Sequence, residues 1–277
     1  MPIANLPGRG VVEVTGEDRV VFLQGLVSND VALAGPGRAV WAALLTPQGK
    51  WLADFFVFSD GERLLLDCER AQAPALAARL SRFRLRSRVS LRAVSEEVRV
   101  HAGWGGAATP EGATVAAPDP RLPEAGWRAL APAPLPGTDA TPEDWDRHRL
   151  GLGLPDGSRD LAAEQTVLLE AGFDELRGVS WTKGCYMGQE LTARTRYRGL
   201  LKRRLVPVAV DGPLPLRGTP VLSPNGAEAG EMRSGRDGLG MALLRLEALD
   251  GRALRCGEAA LAARVPAWMA LPKRETA

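Results

Sequence analysis

Two apolar runs on either side of a Pro/Gly turn constrain the fold more than any other feature of the chain. Trp41 to Leu45 is apolar and strand-like, Thr46-Pro47-Gln48-Gly49-Lys50 has the composition of a turn, and Trp51 to Phe58 is apolar again. This pattern predicts an antiparallel hairpin over 40–58. Asp54 is the only charge in the second run, and read alone it is a solvent-facing strand residue.

The flanking segments extend this into a layered domain. Residues 10–14 read as a strand, and Glu17-Asp18 begin a helix that runs to Val27 and closes at Asn29-Asp30. Leu64 to Cys68 is a further strand. Pro74 opens a helix with Leu76, Leu80 and Phe83 on one face, and Val89 to Val100 reads as strands. The arginines at 79, 82, 84, 86 and 88 read as a solvated face. The order strand, helix, strand, strand, helix, strand predicts an α+β sheet with helices on one face. Residues 102–141 are rich in Gly, Ala and Pro, which fits either short edge strands with long turns or a mobile insertion. Thr141-Pro142-Glu143-Asp144 is a helix start that runs to Gly151 or Gly153. Past residue 200 the texture changes: strand candidates at 205–210, 219–222, 239–246 and 259–264 alternate with turns, which predicts a small antiparallel barrel. The expected division is 1–200, with two interleaved α+β lobes, and 201–277.

Composition narrows the function classes. The chain has 277 residues, 45% apolar and 25% charged, and a formal net charge of +2, so nucleic-acid binding would need a local patch. No run approaches the roughly 20 apolar residues of a membrane span. Residues 1–8 lack the features of a secretory signal, which gives a cytoplasmic expectation. Three scattered cysteines (Cys68, Cys185, Cys256) and two distant histidines (His101, His148) form neither a disulfide framework nor a metal-ligand set. Lysine is scarce, at 50, 183, 202 and 273 only.

Candidate chemistry concentrates in Trp181-Thr182-Lys183-Gly184-Cys185-Tyr186-Met187-Gly188-Gln189-Glu190. A thiol reacts as thiolate, and neighbouring cations or a helix N-terminus favour that form. Lys183 stands two residues before Cys185, and Gly188 can release the chain into a helix whose first turn holds Gln189 and Glu190. Two readings of Cys185 stay open: a reactive thiol, or a small hydrophobe packed beside Tyr186 and Trp181. Downstream, Arg194, Arg196 and Arg198 alternate, so on a strand they would share a face suited to carboxylate or phosphate groups. Tyr186 and Tyr197 could stack on a planar ring.

The block Lys183-Gly184-Cys185-Tyr186-Met187-Gly188-Gln189-Glu190 resembles the KGCYxGQE signature of the YgfZ family, folate-binding proteins related to the glycine-cleavage T-protein. Further pieces agree in order: Phe22-Leu23-Gln24-Gly25 with Asn29-Asp30, Leu45 to Lys50 with Asp54, Asp119-Pro120-Arg121, and Arg149 to Pro155. Arg194 through Arg204 continue the motif. The resemblance spans nearly the whole chain.

It implies a T-protein-like fold of three lobes around an opening that accepts tetrahydrofolate, with a role in assembly or repair of iron–sulfur clusters in enzymes that include tRNA-modifying ones. Cys185 is then the functional thiol with Lys183 beside it. Folate contacts are expected from Glu170 (in Leu169-Glu170-Ala171-Gly172), Asp54, Arg194, Tyr186, Gln189 and Glu190. A carboxylate suits the paired donors of a pterin. Nothing matches the T-protein's own catalytic aspartate segment. Two other functions fit the same residues: a tetrahydrofolate-dependent one-carbon transferase, and a tRNA-binding module using the arginine face.

Overall fold

The computed structural model describes residues 1–109 and 111–271. Strands β1 (Ile3–Asn5) and β2 (Arg9–Thr15) lead to helix α1 (Arg19–Gln24). The hairpin β3 (Val40–Leu45) and β4 (Trp51–Ser59) follows, then β5 (Leu64–Glu69) and α2 (Ala73–Ser81). Next come β6 (Ser90–Ala93), β7 (Arg99–Gly103), β8 (Val115–Pro118) and β9 (Trp127–Ala131). Helices α3 (Pro142–Leu152), α4 (Gly157–Asp160) and α5 (Gln189–Tyr197) precede β10 (Arg203–Asp211), β11 (Pro220–Leu222), β12 (Glu228–Arg236), β13 (Leu239–Arg245), β14 (Leu254–Cys256) and β15 (Ala259–Ala263).

The first nine strands divide between two antiparallel sheets, ordered β3-β4-β5-β2-β6 and β1-β7-β9-β8. The expected single sheet is therefore two. The chain switches sheets twice, between β1 and β2 and between β6 and β7. At the second switch a turn in which Val94 accepts from Glu97 and Val98 breaks the run expected over 89–100. Strand β9 lies inside its sheet and is buried throughout, so only β8 of this region is an edge strand. The helix expected to reach Val27 stops at Gly25, because the carbonyls beyond it are used elsewhere, as described below. Thr141 caps α3 through a reciprocal capping box with Asp144, and Gly153, left-handed at φ +74°, ends it.

Charged side chains join the two sheets. Arg9 of β2 and Arg128 of β9 hold opposite oxygens of Asp67 on β5, at 2.6 and 2.7 Å. Arg128 reaches on to Asp119 at 3.3 Å, and Arg121 grips Asp119 at 2.8 Å. All five are buried. The Phe56 ring of β4 lies beneath three of the guanidinium groups, 4.0 Å from Arg128, 4.8 Å from Arg121 and 5.7 Å from Arg9.

The C-terminal strands close a six-stranded barrel in the order β10-β13-β12-β11-β14-β15, with β15 returning to β10. Strands β12 and β14 escaped sequence reading. β12 is mostly polar and glycine-rich, turning Ala229 and Met232 into the barrel core, and β14 is three residues long. Buried Arg149 of α3 fastens the barrel to the rest by donating to Asp146, Asp160 and Ser234 of β12. Among the described residues no helix is long and apolar enough to cross a membrane.

Removing one member of the inter-sheet charge chain strands its partners in the core. Arg128→Met is expected to lower unfolding stability by about 3–5 kcal/mol, read as a shift of the urea midpoint, and Asp67→Leu, which strands Arg9 as well, to cost at least as much. A midpoint unchanged by Arg128→Met would show that the chain does not hold the sheets.

Candidate functional site

The segment 180–188 is irregular, and the hairpin turn and the end of α1 hold it in place. Its main anchor is Lys183. The ammonium donates to the carbonyls of Gln24 at 2.7 Å, Val27 at 2.8 Å and Asn29 at 2.8 Å. These are the carbonyls that α1 leaves free when it stops. Burial pulls the Lys183 ammonium down to about 8, and its Nζ stands 5.3 Å from the Tyr186 ring centroid. The segment's backbone adds Met187 N–H to Gly25 and Ser180 N–H to Ser28, each at 3.0 Å.

Two glycines permit the approach of the hairpin turn. Gly49, at φ +81°, and Gly188, at φ +80°, lie so close that a Cβ on Gly49 would sit 2.6 Å from the Gly188 carbonyl, and one on Gly188 would sit 2.4 Å from that of Thr46. Gly188 then opens α5, as its sequence context predicts. Gln189 turns back to accept from the Tyr186 N–H at 3.2 Å, so its side chain closes the loop it follows. Glu190 is exposed in the first turn of α5.

Suspended this way, Cys185 is exposed while Cys68 and Cys256 are buried. Burial pushes the Cys68 thiol up to about 12 and raises that of Cys256. The accessible thiol is therefore Cys185 alone. Tyr186, next to it, is buried, with its hydroxyl pushed up to about 12 by burial.

The arginine face takes a different form from the one expected. Residues 189–197 are helical, so Arg194, Arg196 and Arg198 do not share a strand face. Helical spacing pairs Arg194 with Arg198, both exposed, and separates Arg196. Arg196 lies 4.1 Å over the Trp181 ring and 3.5 Å from Asp174. The buried residues of this helix are Thr192 and Thr195, so its sequence shows no apolar periodicity, and the alternation misled.

Asp54 is buried, not solvent-facing. The hairpin is covered on both faces, so either strand face is interior. Its carboxylate accepts from the indoles of Trp41 at 3.0 Å and Trp51 at 3.2 Å. Burial raises its carboxyl above the usual value, against the pull of Arg9. Glu170 is also buried, in the turn Leu168–Ala171, and accepts from Arg203 of β10 at 3.1 and 3.3 Å.

A cleft of about 630 Å³ opens beside the loop. Ser180, Trp181 and Thr182 form one wall, Asn29 and Asp119 stand in it, and exposed Arg38 and Arg177 lie at its rim. Asn29 positions this region by donating to the carbonyls of Trp41 at 2.8 Å and Arg177 at 2.7 Å. The two rim arginines were not anticipated. Arg177 sits at φ +58°, a conformation that its residue type does not announce. The structure thus gathers Asn29, the 46–50 turn, Asp119 and the 180–190 block into one region, while Asp54 and Glu170 lie in closed surroundings.

Known proteins resemble this chain in sequence and in fold. Residues 202–271 match the family model described as CAF17, C-terminal beta-barrel domain. The human mitochondrial iron-sulfur cluster assembly factor IBA57 is 37% identical, the alignment covering 95% of this chain and 84% of that protein. The Mycosarcoma maydis homolog is 34% identical over 88% of this chain and 74% of its own. The chain belongs to the IBA57 family. A glycine cleavage system aminomethyltransferase T from Bartonella henselae superposes with a TM-score of 0.73 at 17% identity, covering 97% of this chain and 86% of the other. The T-protein-like fold with a C-terminal barrel is therefore as expected. The cytoplasmic expectation is overturned, because these IBA57 relatives are named as mitochondrial proteins. It rested on the lack of a secretory signal, which does not discriminate between compartments inside the cell.

Iodoacetamide is expected to label Cys185 in the native protein and to reach Cys68 and Cys256 only in denaturant. Lys183→Met should cost about 2–3 kcal/mol and speed amide exchange at Ser180 and Met187. Lys183→Arg should not restore protection, since a planar guanidinium cannot converge on three carbonyls. Unchanged exchange at those two amides in Lys183→Met would remove the lysine as the anchor.

Proposed function

We propose that this protein serves in iron–sulfur cluster assembly or repair through Cys185, with a folate-type ligand in the adjoining cleft. The observation that carries the reading is the contrast between one exposed, rigidly suspended thiol and two buried ones. The IBA57 relatives, named as iron-sulfur cluster assembly factors, supply the cargo. Among the described residues no group of three or more His, Cys, Asp or Glu is placed to hold a metal ion. A cluster that meets Cys185 would thus take its remaining ligands from the client, which suits transfer better than storage.

The cleft suits a folate in size and in kind. Trp181 offers a half-exposed indole, and Arg38 and Arg177 offer guanidinium groups for a carboxylate tail. Bound there, a tetrahydrofolate would supply one-carbon or reducing chemistry. Glu170, bonded to Arg203 at 3.1 and 3.3 Å, is not among the cleft's lining residues, so the guanidinium groups of Arg38 and Arg177 carry the folate reading there. Asp54 is satisfied by two indoles and supports the wall formed by the hairpin. Glu190 in the first turn of α5 and Arg194 in its last are both exposed, which suits contact with a client better than a closed pocket.

Cys185→Ser should abolish iron–sulfur enzyme maturation in a complemented deletion strain while leaving tetrahydrofolate affinity within about twofold, because the thiol is not one of the cleft's walls. Arg177→Ala should weaken tetrahydrofolate by about 1–3 kcal/mol in titration calorimetry, and Glu170→Ala should leave it unchanged. A fully active Cys185→Ser strain would sink the thiol reading, and unaltered affinity in Arg177→Ala would take this cleft out of the folate reading.

A further inference from the structure

The arginine-rich segment after α2 carries a feature that a solvated face does not need. Arg79, Arg82, Arg84 and Arg86 are exposed, and among the described residues they form no ion pair, whereas Arg88 pairs with Glu17 and its N–H donates to Asp18 at 2.7 Å. At the tip between them Leu85 is 91% exposed and held at φ +43°, a left-handed conformation that a leucine adopts only at a cost. Phe83 beside it is 39% exposed. Four unpaired cations around two outward apolar side chains give this tip a field of one sign with apolar points set in it.

This tip is joined to the thiol loop. Asp18, which holds Arg88, is the residue before α1, and Gln24 and Gly25 at the other end of α1 hold Lys183 and Met187. Only a six-residue helix, about 9 Å long, separates the two anchor points. Its Val21 is 77% exposed between them. A groove of about 240 Å³ makes the second connection, since Arg79 and Phe83 line one part of it and Met187 of the motif another.

We propose that this strip, from Leu85 across Val21 and the Met187 groove to Cys185, is the docking surface for an acidic, apolar-studded segment of a partner protein. The proposal rests on reading Cys185 as the working thiol, and it adds how a client is aligned with it. Charge complementarity selects an acidic occupant. The groove sets Leu45, Leu52, Phe83 and Met187 beside Arg79 and Glu164, so it takes side chains, which a flat bilayer cannot supply, and Phe83 is the strip's one exposed aromatic ring, too few for a run of stacked bases.

The test uses the full-length protein and a short peptide alternating leucine and glutamate, with a terminal cysteine activated as its thionitrobenzoate disulfide. Cys185 thiolate attacks the peptide sulfur, forms the mixed disulfide and releases thionitrobenzoate, whose absorbance gives the rate. The acidic peptide is expected to react about tenfold faster than one with lysine in place of glutamate, and the advantage to shrink as salt rises. The combined variant Arg82→Glu, Arg84→Glu, Arg86→Glu should lose that advantage yet react with neutral iodoacetamide at the wild-type rate, which reports an intact thiol loop. Leu85→Ser should lose part of it. Equal rates for the two peptides, or an advantage retained by the charge-reversed protein, overturns the proposal. Displacement of the peptide by phosphatidylserine vesicles or single-stranded RNA that bind more tightly than it does overturns it in favour of those surfaces. Cysteine exchange here needs no biological role for Cys185, so a failure in this assay is a failure of docking. An active Cys185→Ser strain defeats only the reading of the thiol.

Discussion

The buried charge chain from Arg9 through Asp67, Arg128 and Asp119 to Arg121 sets the geometry on which everything else depends. Taking these ions out of water is expensive, and their mutual attraction roughly repays the cost only when every partner is present. Such a chain contributes little net stability, but it specifies one mutual placement of the two sheets and penalises every other. Phe56 beneath the guanidinium groups adds a ring whose face favours cations. At one end of the chain Asp119 stands in the cleft beside the thiol loop. At the other, Arg9 approaches Asp156 at 3.9 Å, between the sheets and the helices that carry the barrel.

Lys183 plays the corresponding part for the motif. The chain uses arginine for almost every other cation, so a lysine here asks for a reason. Three carbonyls converge on one point, at 2.7 to 2.8 Å. A compact ammonium with three donors satisfies that geometry, and a planar fork does not. The sequence places Lys183 in the chemistry with Cys185. Its position shows instead that its protons are committed to the backbone, so its effect on the thiol is exerted through the shape of the loop.

What sequence could reveal follows the range of the interactions involved. The hairpin, the Thr141 cap, the Gly188 release into α5 and the special character of 181–190 rest on local patterns, and each is where the residues put it. Asp54 was misjudged although its indole partners stand only 13 and 3 positions away, because burial of both hairpin faces comes from elements elsewhere in the chain, and the arginine alternation because residues 189–197 are helical. A lone aspartate on a strand looks exposed until two tryptophans are found around it. The split into two sheets, with β1 pairing β7 and β2 pairing β6, is equally non-local. The partners of Arg9, Asp67 and Arg128 lie about sixty positions apart, and no spacing rule of helix or strand connects them.

Cleft and thiol share one piece of chain, so a ligand in the one and a client at the other would be coupled through it. Ser180, Trp181 and Thr182 wall the cleft, and Lys183, Gly184 and Cys185 continue directly from them. Trp181 is fixed from outside by Arg196 on its face and by Asp174, which accepts from its indole N–H at 2.7 Å. A ligand that packs on Trp181 changes the freedom of the residue four positions before Cys185. By linkage, a client that engages Cys185 must alter the affinity of that ligand by the same factor. The anchored Lys183 between them decides how large the factor is. While its three hydrogen bonds hold, the two halves of the segment move independently, and the coupling stays small. A ligand therefore reports on a docked client only to the extent that it disturbs the carbonyls at the end of α1.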